Sequence, residues 1–154
     1  MYGIDIAEEG IKVLQNRLAE TDLKVDLKVG NILETLPYPD SFFDSIISVQ
    51  VMQHGTETEI LTAIKEFRRV IKPGGILFIT LCGRIANNKV RYLLVKTAKK
   101  IAPRTYKPTQ GDEIGLTHYI YDKKTLLYHY KDFKPIKFWK DKRDYYCFPG
   151  RIKK

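Results

Sequence analysis

Two polar residues follow apolar segments at positions where the carboxyl ends of strands would lie. Asp5 comes near the end of the alternating segment 2–6, and Asn31 follows Gly30 directly after the alternating segment 23–29. In open parallel sheets, ligands bind outside the carboxyl ends of the strands. A ribose offers two adjacent hydroxyls, and one carboxylate can accept hydrogen bonds from both. The pattern therefore predicts that Asp5 binds the ribose of a nucleoside.

The neighbours of these residues are suited to hold a purine base. Ile6 would pack on one face of an adenine, and Ile32 would close the slot from the other side. The amide of Asn31, placed by Gly30, could bond the edge of the base. Two local roles remain open at this stage: Asp5 as a cap for the following helix, and Asn31 as an ordinary turn residue after glycine.

The segments around these positions alternate between strand and helix patterns. Strands are predicted at 2–6, 23–29, 42–51 and 76–81, and helices at 8–19 and 56–71. The segment 2–6 has the pattern of a short buried strand, 23–29 that of an edge strand, and the dense apolar run 42–51 that of a fully buried central strand. A capping box at Thr56–Glu59 opens the second helix, and Lys72-Pro73-Gly74-Gly75 is predicted to end it with a left-handed glycine cap.

The second half of the chain has weaker patterns. A basic, weakly amphipathic helix is predicted over 86–102, a loop over 107–117, and a short helix capped by Asp122 that runs through Lys131. Two last strands at 134–140 and 145–152 form a hairpin. Together these elements predict one α/β domain over 1–154, with a mostly parallel sheet and an antiparallel C-terminal hairpin. Its predicted parts are 1–82, a substrate-side insertion at 84–120, and 122–152.

Length and composition narrow the class of protein. A chain of 154 residues has the size of one domain, and it has no signal peptide pattern and no apolar run long enough to span a bilayer. Cys82 and Cys147 lie far apart in apolar surroundings, which favours buried reduced thiols and a cytoplasmic location. The three histidines form no Cys/His cluster, so no metal site is expected.

The charge is distributed unevenly along the chain. Residues 1–77 hold 8 Lys and Arg against 12 Asp and Glu, a net charge of −4, whereas residues 78–154 hold 19 against 6, a net charge of +13. The basic half is also rich in aromatic residues. This pattern is typical of a solvated lysine-rich surface, which we favour, and it is also the pattern of a surface that binds RNA through phosphates and stacked bases.

Three phrases, in order, resemble a known family. They are Tyr2-Gly3-Ile4-Asp5-Ile6; Gly30-Asn31-Ile32-Leu33 with Leu36–Asp44 and Ser48–His54; and Phe67–Phe78, which includes Lys72-Pro73-Gly74-Gly75. Over residues 2–80 the chain resembles class I S-adenosylmethionine-dependent methyltransferases of the type-11 group, and residues 111–154 resemble the tail of that group more weakly. The resemblance implies a Rossmann-like fold and S-adenosylmethionine as the cofactor.

The resemblance also implies roles for individual residues. Asp5 matches the acidic ribose-binding strand end, and Asn31 stands where the family usually has Asp. Gln50 and His54 match the wall beside the methionine end of the cofactor. His54 could then orient or deprotonate a methyl acceptor, since an imidazole titrates near neutrality. His118 and Tyr119 could line the acceptor pocket. Plain packing remains the alternative for these two residues and for His54.

One part of the family pattern is not found in this sequence. The glycine-rich turn of this fold lies about 20 residues before the acidic residue, but only four residues precede Asp5. We therefore expect that the first strand of the fold is absent. Three explanations stay open: a fragment of a longer enzyme, which we favour, a natural remnant in which strands 2–6 and 43–51 pair directly, or a partner chain that supplies the strand.

Two functions follow from these observations. The first is S-adenosylmethionine-dependent methyl transfer to a small molecule or to tRNA, weak or absent in this truncated form. Such transfer needs mainly an acceptor held in line with the methyl group, so no catalytic triad is expected. The second is a non-catalytic methyltransferase remnant that binds RNA or a partner protein. The residues alone leave open whether the chain is an enzyme.

Overall fold

The computed structural model describes residues 1–83, 85–86, 89–90 and 97–153. The chain divides into two compact units, Met1–Leu36 and Pro37–Lys154. Each unit is described by itself below.

The first unit consists of two parallel strands and one helix. Strand β1 (Tyr2–Asp5) is followed by helix α1 (Glu8–Leu18) and strand β2 (Asp26–Val29). The three predicted elements are confirmed, although β2 begins later than predicted. β1 pairs with β2 in parallel, so that Asp5 lies opposite Val29.

Burial in the first unit is slight. Ile11 is the one buried residue of α1, and Tyr2 at the start of β1 is exposed. The expectation of a buried strand at 2–6 was therefore wrong. In the described part of the chain β1 pairs only with β2, so its alternating apolar residues lack the cover that a central strand receives.

The second unit is built on a parallel pair joined by a helix. Strand β3 (Phe43–Val49), helix α2 (Glu57–Val70) and strand β4 (Ile71–Leu81) form a β-α-β unit in which Ile46 lies beside Leu77. The predicted capping box is confirmed. The Thr56 hydroxyl accepts a bond from the Glu59 amide at 3.3 Å, and the Glu59 carboxylate accepts one from the Thr56 amide at 2.7 Å.

The predicted central strand lies at the edge of its sheet. β3 pairs only with β4 among the described residues, and the side chains of Ile47 and Val49 are 72% and 55% exposed. The prediction that 42–51 is fully buried was therefore wrong in this structure. A run of apolar residues shows that a strand is suited to burial. Whether the strand is buried depends on neighbours at both edges and on both faces.

The second helix ends earlier than its glycines suggested. α2 stops at Val70, and Ile71 is already extended as the first residue of β4. Gly74, with φ of +78°, lies inside β4 at a register shift opposite Asp44. A Cβ on Gly75 would lie 2.9 Å from the Asp44 carbonyl oxygen, so the close approach of the two strands requires glycine there. The predicted left-handed helix cap is thus a bulge in a strand.

The remaining elements extend the sheet of β3 and β4 and form two further small sheets. They are β5 (Ile85–Ala86), β6 (Lys89–Val90), β7 (Ala98–Ala102), β8 (Thr105–Pro108), β9 (His118–Tyr119), α3 (Lys123–His129), β10 (Phe133–Pro135), β11 (Trp139–Lys140) and β12 (Tyr146–Ile152). One sheet has the order β10-β12-β4-β3, with β11 on β12; β7-β8-β9 and β5-β6 form the others. The C-terminal hairpin pairs antiparallel, as predicted.

The predicted helix over 86–102 was wrong wherever the structure describes that segment. Residues 98–102 form β7, paired antiparallel with β8, and residues 85–86 pair with 89–90. Residues 87–88 and 91–96 lie outside the described residues. Lys99 and Lys100 are good helix formers, but strand pairing within a sheet overrides so weak a preference.

The core of the second unit lies between α2, α3 and the sheet around β4. Its fully buried members include Ile60, Leu77, Leu81, Leu126 and Phe148. Asp122 caps α3 as predicted, since its carboxylate accepts a bond from the Thr125 amide at 2.7 Å. Cys82 and Cys147 are buried free thiols, and burial raises the pKa of Cys147.

The helices that the structure describes are too short or too polar to cross a lipid bilayer.

Candidate functional site

In the first unit, the carboxyl ends of β1 and β2 bring Asp5 and Gly30 together. The Gly30 amide donates to the Asp5 carbonyl at 2.8 Å, which extends the parallel pairing by one residue. A Cβ at position 30 would lie 2.8 Å from Cδ1 of Ile4. The contact between the two strand ends therefore favours glycine at this position, a steric reason that the sequence pattern did not contain.

The Asp5 carboxylate is exposed at this edge. Its Oδ1 accepts a hydrogen bond from the Ala7 amide at 2.8 Å. Ala7 is itself the N-cap of α1, and no side chain caps that helix, so the alternative of Asp5 as the helix cap is not borne out. The bond from the Ala7 amide orients the carboxylate and uses one of about four acceptor positions of an ionised carboxyl group. The carboxylate thus keeps the acceptor capacity that two ribose hydroxyls would need, and the local bond and the binding role are compatible.

Asn31 closes a turn immediately after Gly30. Its Oδ1 accepts from the Leu33 amide at 3.0 Å, and its Nδ2 donates to Glu34 at 3.2 Å. The turn alternative is thus present in the structure. An amide oxygen has a second lone pair, so contact with an adenine edge remains compatible with this turn. Ile32 is half-buried and Ile6 is 70% exposed.

In the second unit, Gln50 holds an unusual backbone conformation at the end of β3. Its φ of 56° lies in the left-handed region, and its amide donates to the Thr80 carbonyl at 3.0 Å. A left-handed non-glycine residue costs roughly 1–3 kcal/mol and is concentrated at functional sites. The strand therefore ends in a sharp turn at the residue that the sequence selected.

His54 and His118 meet although 64 residues of chain separate them. Their rings are 4.6 Å apart at 72°, and the two residues form an isolated antiparallel bridge. Backbone bonds flank the pair: Gly55 donates to Thr117 at 2.9 Å, and Tyr119 donates to Gln53 at 2.7 Å. The structure thus brings two predicted acceptor-side residues into one imidazole pair. We call it the histidine pair.

The histidine pair lies close to one acidic side chain. Nε2 of His118, which is buried, is 3.6 Å from a carboxylate oxygen of Glu113. In the part of the chain that the structure describes, no cluster of three His, Cys, Asp or Glu side chains could hold a metal ion.

The hydroxyl group of Tyr119 makes a contact that the sequence did not predict. Its hydroxyl donates to the Glu57 carboxylate at 2.9 Å, and the same carboxylate oxygen lies 2.9 Å from Nε2 of His129. Burial, and next the bond to Glu57, raise the pKa of Tyr119. From the sequence, Glu57 is only an acidic residue in the first turn of a helix, and 62 residues separate it from its tyrosine.

The sequence matches a methyltransferase domain family over residues 1–79. The uncharacterized methyltransferase YdaC of Bacillus subtilis is 31% identical over 87 residues, which cover 56% of this chain and 45% of that protein. The ubiquinone/menaquinone biosynthesis C-methyltransferase UbiE of Bordetella avium is 34% identical over 82 residues, 53% of this chain and 31% of that protein. The chain thus spans less than half the length of either relative.

Solved structures resemble nearly the whole chain. A SAM-dependent methyltransferase from Methanosarcina mazei has a TM-score of 0.80 at 20% identity, with 99% of this chain and 81% of that chain covered. The 1,6-didemethyltoxoflavin-N1-methyltransferase of Burkholderia thailandensis, with bound S-adenosylhomocysteine, has a TM-score of 0.73 at 11% identity, covering 99% and 61%. At such identities the likeness shows the fold, and the predicted Rossmann-like α/β class is confirmed.

Proposed function

Because the chain belongs to the methyltransferase domain family, we propose that it takes part in S-adenosylmethionine-dependent transfer of a methyl group to a small molecule. The relatives support this proposal, since those that match include the ubiquinone/menaquinone biosynthesis C-methyltransferase of Bordetella avium. The single observation that carries the proposal is the paired strand end of the first unit, where the Asp5 carboxylate lies exposed beside Gly30.

The residues of this strand end fit the nucleoside part of the cofactor. Asp5 would accept hydrogen bonds from the two ribose hydroxyls, in the orientation that the Ala7 amide gives its carboxylate. Asn31 would meet the edge of the adenine, with Ile6 and Ile32 against its faces. The exposed apolar side chain of Ile6 would then be covered by the base, which removes apolar surface from water.

When bound, S-adenosylmethionine supplies a methyl group on an electrophilic sulfonium. The part of the protein is mainly to orient the acceptor and to exclude water, since alignment alone can contribute several kcal/mol, roughly 7–11 in well-oriented systems. In this proposal His54 orients the acceptor or removes its proton, and His118 and Tyr119 line the acceptor side.

Titration with S-adenosylhomocysteine tests the nucleoside site. We expect Asp5→Ala to weaken binding by about tenfold to a hundredfold, the cost of hydrogen bonds to a charged group. Asp5→Asn keeps an acceptor for the Ala7 amide, so it separates loss of charge from loss of the local turn. Asp26→Ala is the matched control, because Asp26 is exposed at the opposite end of the same two strands. Equal affinity in all four proteins would disprove the assignment.

The open edge of β3 enters the same proposal. We propose that this edge receives one further strand, from a further segment of the protein or from a partner chain. The support is physical: among the described residues β3 pairs on one side only, and the apolar side chains of Ile47 and Val49 are exposed, a combination that natural edge strands avoid. The titration is therefore made on this chain and on its longest expressible form. Binding to the longer form alone would support the added strand.

A second candidate function is RNA binding through the basic half. Around the C-terminal hairpin, lysine ammonium groups lie over aromatic rings: Lys123 over Phe138 at 5.3 Å, Lys140 over Tyr146 at 5.1 Å, and Lys137 over Trp139 at 5.4 Å. The rings of Phe138 and Tyr146 are themselves 5.5 Å apart. Cations and rings presented together are the chemistry that binds phosphates and stacks on bases.

Salt dependence separates this candidate from methyl transfer to a small molecule. Electrostatic binding of tRNA by this surface should weaken strongly between about 50 and 200 mM salt, and Lys123→Ala with Lys140→Ala should lower the salt slope by about one per lysine removed. Lys12→Ala, in the first unit, is the control. An affinity for tRNA that does not respond to salt would argue against the basic surface.

A further inference from the structure

Glu57 lies at the centre of a hydrogen-bonded cluster that joins three elements of the second unit. It is the first residue of α2, yet its carboxylate oxygen contacts the Tyr119 hydroxyl of β9 and the His129 imidazole at the end of α3, each at 2.9 Å. The His129 side chain is fully buried, and its Nδ1 lies 3.3 Å from the hydroxyl of Tyr121. We call these four side chains the Glu57 cluster.

The partners determine which nitrogen of His129 carries a proton. An ionised carboxylate can only accept, so the Nε2 proton of His129 points to Glu57. In the neutral imidazole Nδ1 is then the acceptor, and the Tyr121 hydroxyl donates to it. Both ring nitrogens and both hydroxyls therefore have defined roles. The aromatic rings pack as well: Tyr119 and Tyr121 are 4.9 Å apart, and Tyr119 and His129 are 5.4 Å apart.

The Glu57 cluster is connected through the backbone to the histidine pair. Tyr119 directly follows His118, and its amide donates to Gln53, the residue before His54. Glu57 lies three residues after His54 and is the first residue of α2, whose start is stabilised by the Thr56 capping box. Tyr119 thus contacts the segment 53–57 twice: its backbone amide donates to Gln53, and its hydroxyl donates to Glu57. Tyr119 is therefore bonded to the chain on both sides of His54.

We propose that Glu57 is a positioning residue: through Tyr119 and His129 it sets the distance and angle between His54 and His118. The proposal rests on the proposed function only in giving the histidine pair an acceptor-side role; the positioning itself is a property of the second unit. The Glu57 side chain is 49% exposed, but its partners are buried: the His129 side chain has no exposed surface, and Tyr119 is 2% exposed. Loss of the carboxylate would leave these buried groups without their acceptor, which is costly.

The test reads the histidine pair directly. In the full chain, the ring resonances of His54 and His118 are assigned by NMR and followed in Glu57→Gln and Tyr119→Phe. Gln keeps an acceptor oxygen and removes the charge, whereas Phe removes one hydroxyl and keeps the ring. We expect both variants to shift the ring resonances of both histidines, because the rings lie within 4.6 Å and face each other edge to face. Tyr128→Phe is the control, a highly exposed tyrosine of α3.

A second measurement keeps positioning apart from cofactor binding and from stability. S-adenosylhomocysteine affinity and the melting temperature are recorded for the same variants. Unshifted histidine resonances in variants with a lowered melting temperature would overturn the proposal and leave Glu57 a structural residue. If Glu57→Gln fails to fold, the smaller change Tyr119→Phe decides. Should wild-type protein bind no S-adenosylhomocysteine, the proposed function fails, while shifted resonances would still support the positioning role.

Discussion

The two units of the chain divide recognition and stability unequally. The unit Met1–Leu36 carries the residues suited to a nucleoside, but its helix buries only Ile11 and its strands have exposed apolar residues. The unit Pro37–Lys154 carries nearly all of the buried core, including Leu77 and Phe148. Stability therefore comes chiefly from the second unit, since free energy of folding follows apolar surface removed from water.

The difference in burial between the two units predicts which of them a bound nucleoside should stabilise more. A binding edge with exposed apolar residues has more surface left to bury than a filled core has. We therefore expect a nucleoside ligand to stabilise the first unit more than the second. Pairs of substitutions, one in each unit, test this contrast between the units.

The largest contrast is expected from leucine truncation. Leu77 is fully buried in β4, so Leu77→Ala should lower the free energy of unfolding by about 2–5 kcal/mol through lost burial and the cavity left behind. Leu14 of α1 is 40% exposed, and Leu14→Ala should change it by only about 0.5 kcal/mol. Urea denaturation measures both. Comparable losses would mean that the first unit has a core of its own.

Two glycines give the next contrast. Gly75→Ala places a Cβ within 2.9 Å of two backbone oxygens, which cannot move without disturbing β3 and β4, so we expect a loss of about 1–3 kcal/mol. At Gly3 the obstacle is a side-chain tip, Cδ2 of Leu27 at 2.7 Å, which can rotate. Gly3→Ala should therefore cost less than about 1 kcal/mol. Thermal melts of the two variants, compared with wild type, decide the order.

The N-terminus of the helix is better stabilised in the second unit than in the first. α2 begins with a complete capping box at Thr56, whereas α1 begins at Ala7 without a side-chain cap. Thr56→Ala should lower the free energy of unfolding by about 1 kcal/mol, and Ala7→Ser should raise that of the first unit by about 0.5 kcal/mol. Helix-specific amide exchange detects both changes. No gain from Ala7→Ser would indicate that the bond from the Ala7 amide to Asp5 already stabilises the helix start.

The smallest expected effect is a dependence on pH. The bond from the Thr56 amide, and next that from its hydroxyl, hold the pKa of Glu59 below its usual 4.5. A lowered pKa in the folded state means that the stabilisation is complete above pH 4.5 and is lost as the pH falls through the lower folded value. The stability difference between wild type and Glu59→Gln should therefore shrink below pH 4.5. Urea denaturation of the two proteins between about pH 3 and pH 7 measures this difference, and a difference that does not change with pH would contradict the prediction.

Local patterns predicted the order of the first six elements and both helix caps of the second unit. Thr56 and Asp122 were identified because a cap depends on residues three positions apart, within reach of sequence reasoning. The Gly74–Gly75 pair was read as a helix cap, but Ile71 already pairs with Phe43. A helix C-cap and this bulge both use a residue with positive φ, which favours glycine. The spacing alone therefore could not distinguish a helix cap from a bulge.

The candidate site shows the same division. Asp5, Gly30 and Asn31 were selected because they lie at the carboxyl ends of two predicted strands, and the structure adds the local bonds to Ala7 and Leu33. Glu57 and His129 were not recognisable. Their contact spans 72 residues, and neither residue lies in a pattern that distinguishes it from an ordinary helix-end residue.

By itself the sequence determined the α/β alternation, the family, and the strand ends at which a nucleoside could bind, because these depend on neighbouring residues and on periodicity. Only the tertiary structure decided that β3 pairs with β4 alone among the described residues, that 98–102 is a strand, that His54 and His118 form one pair, and that Glu57 bonds Tyr119 and His129. Burial and side-chain contacts depend on residues far apart in the chain, and a single sequence does not record which distant residues meet.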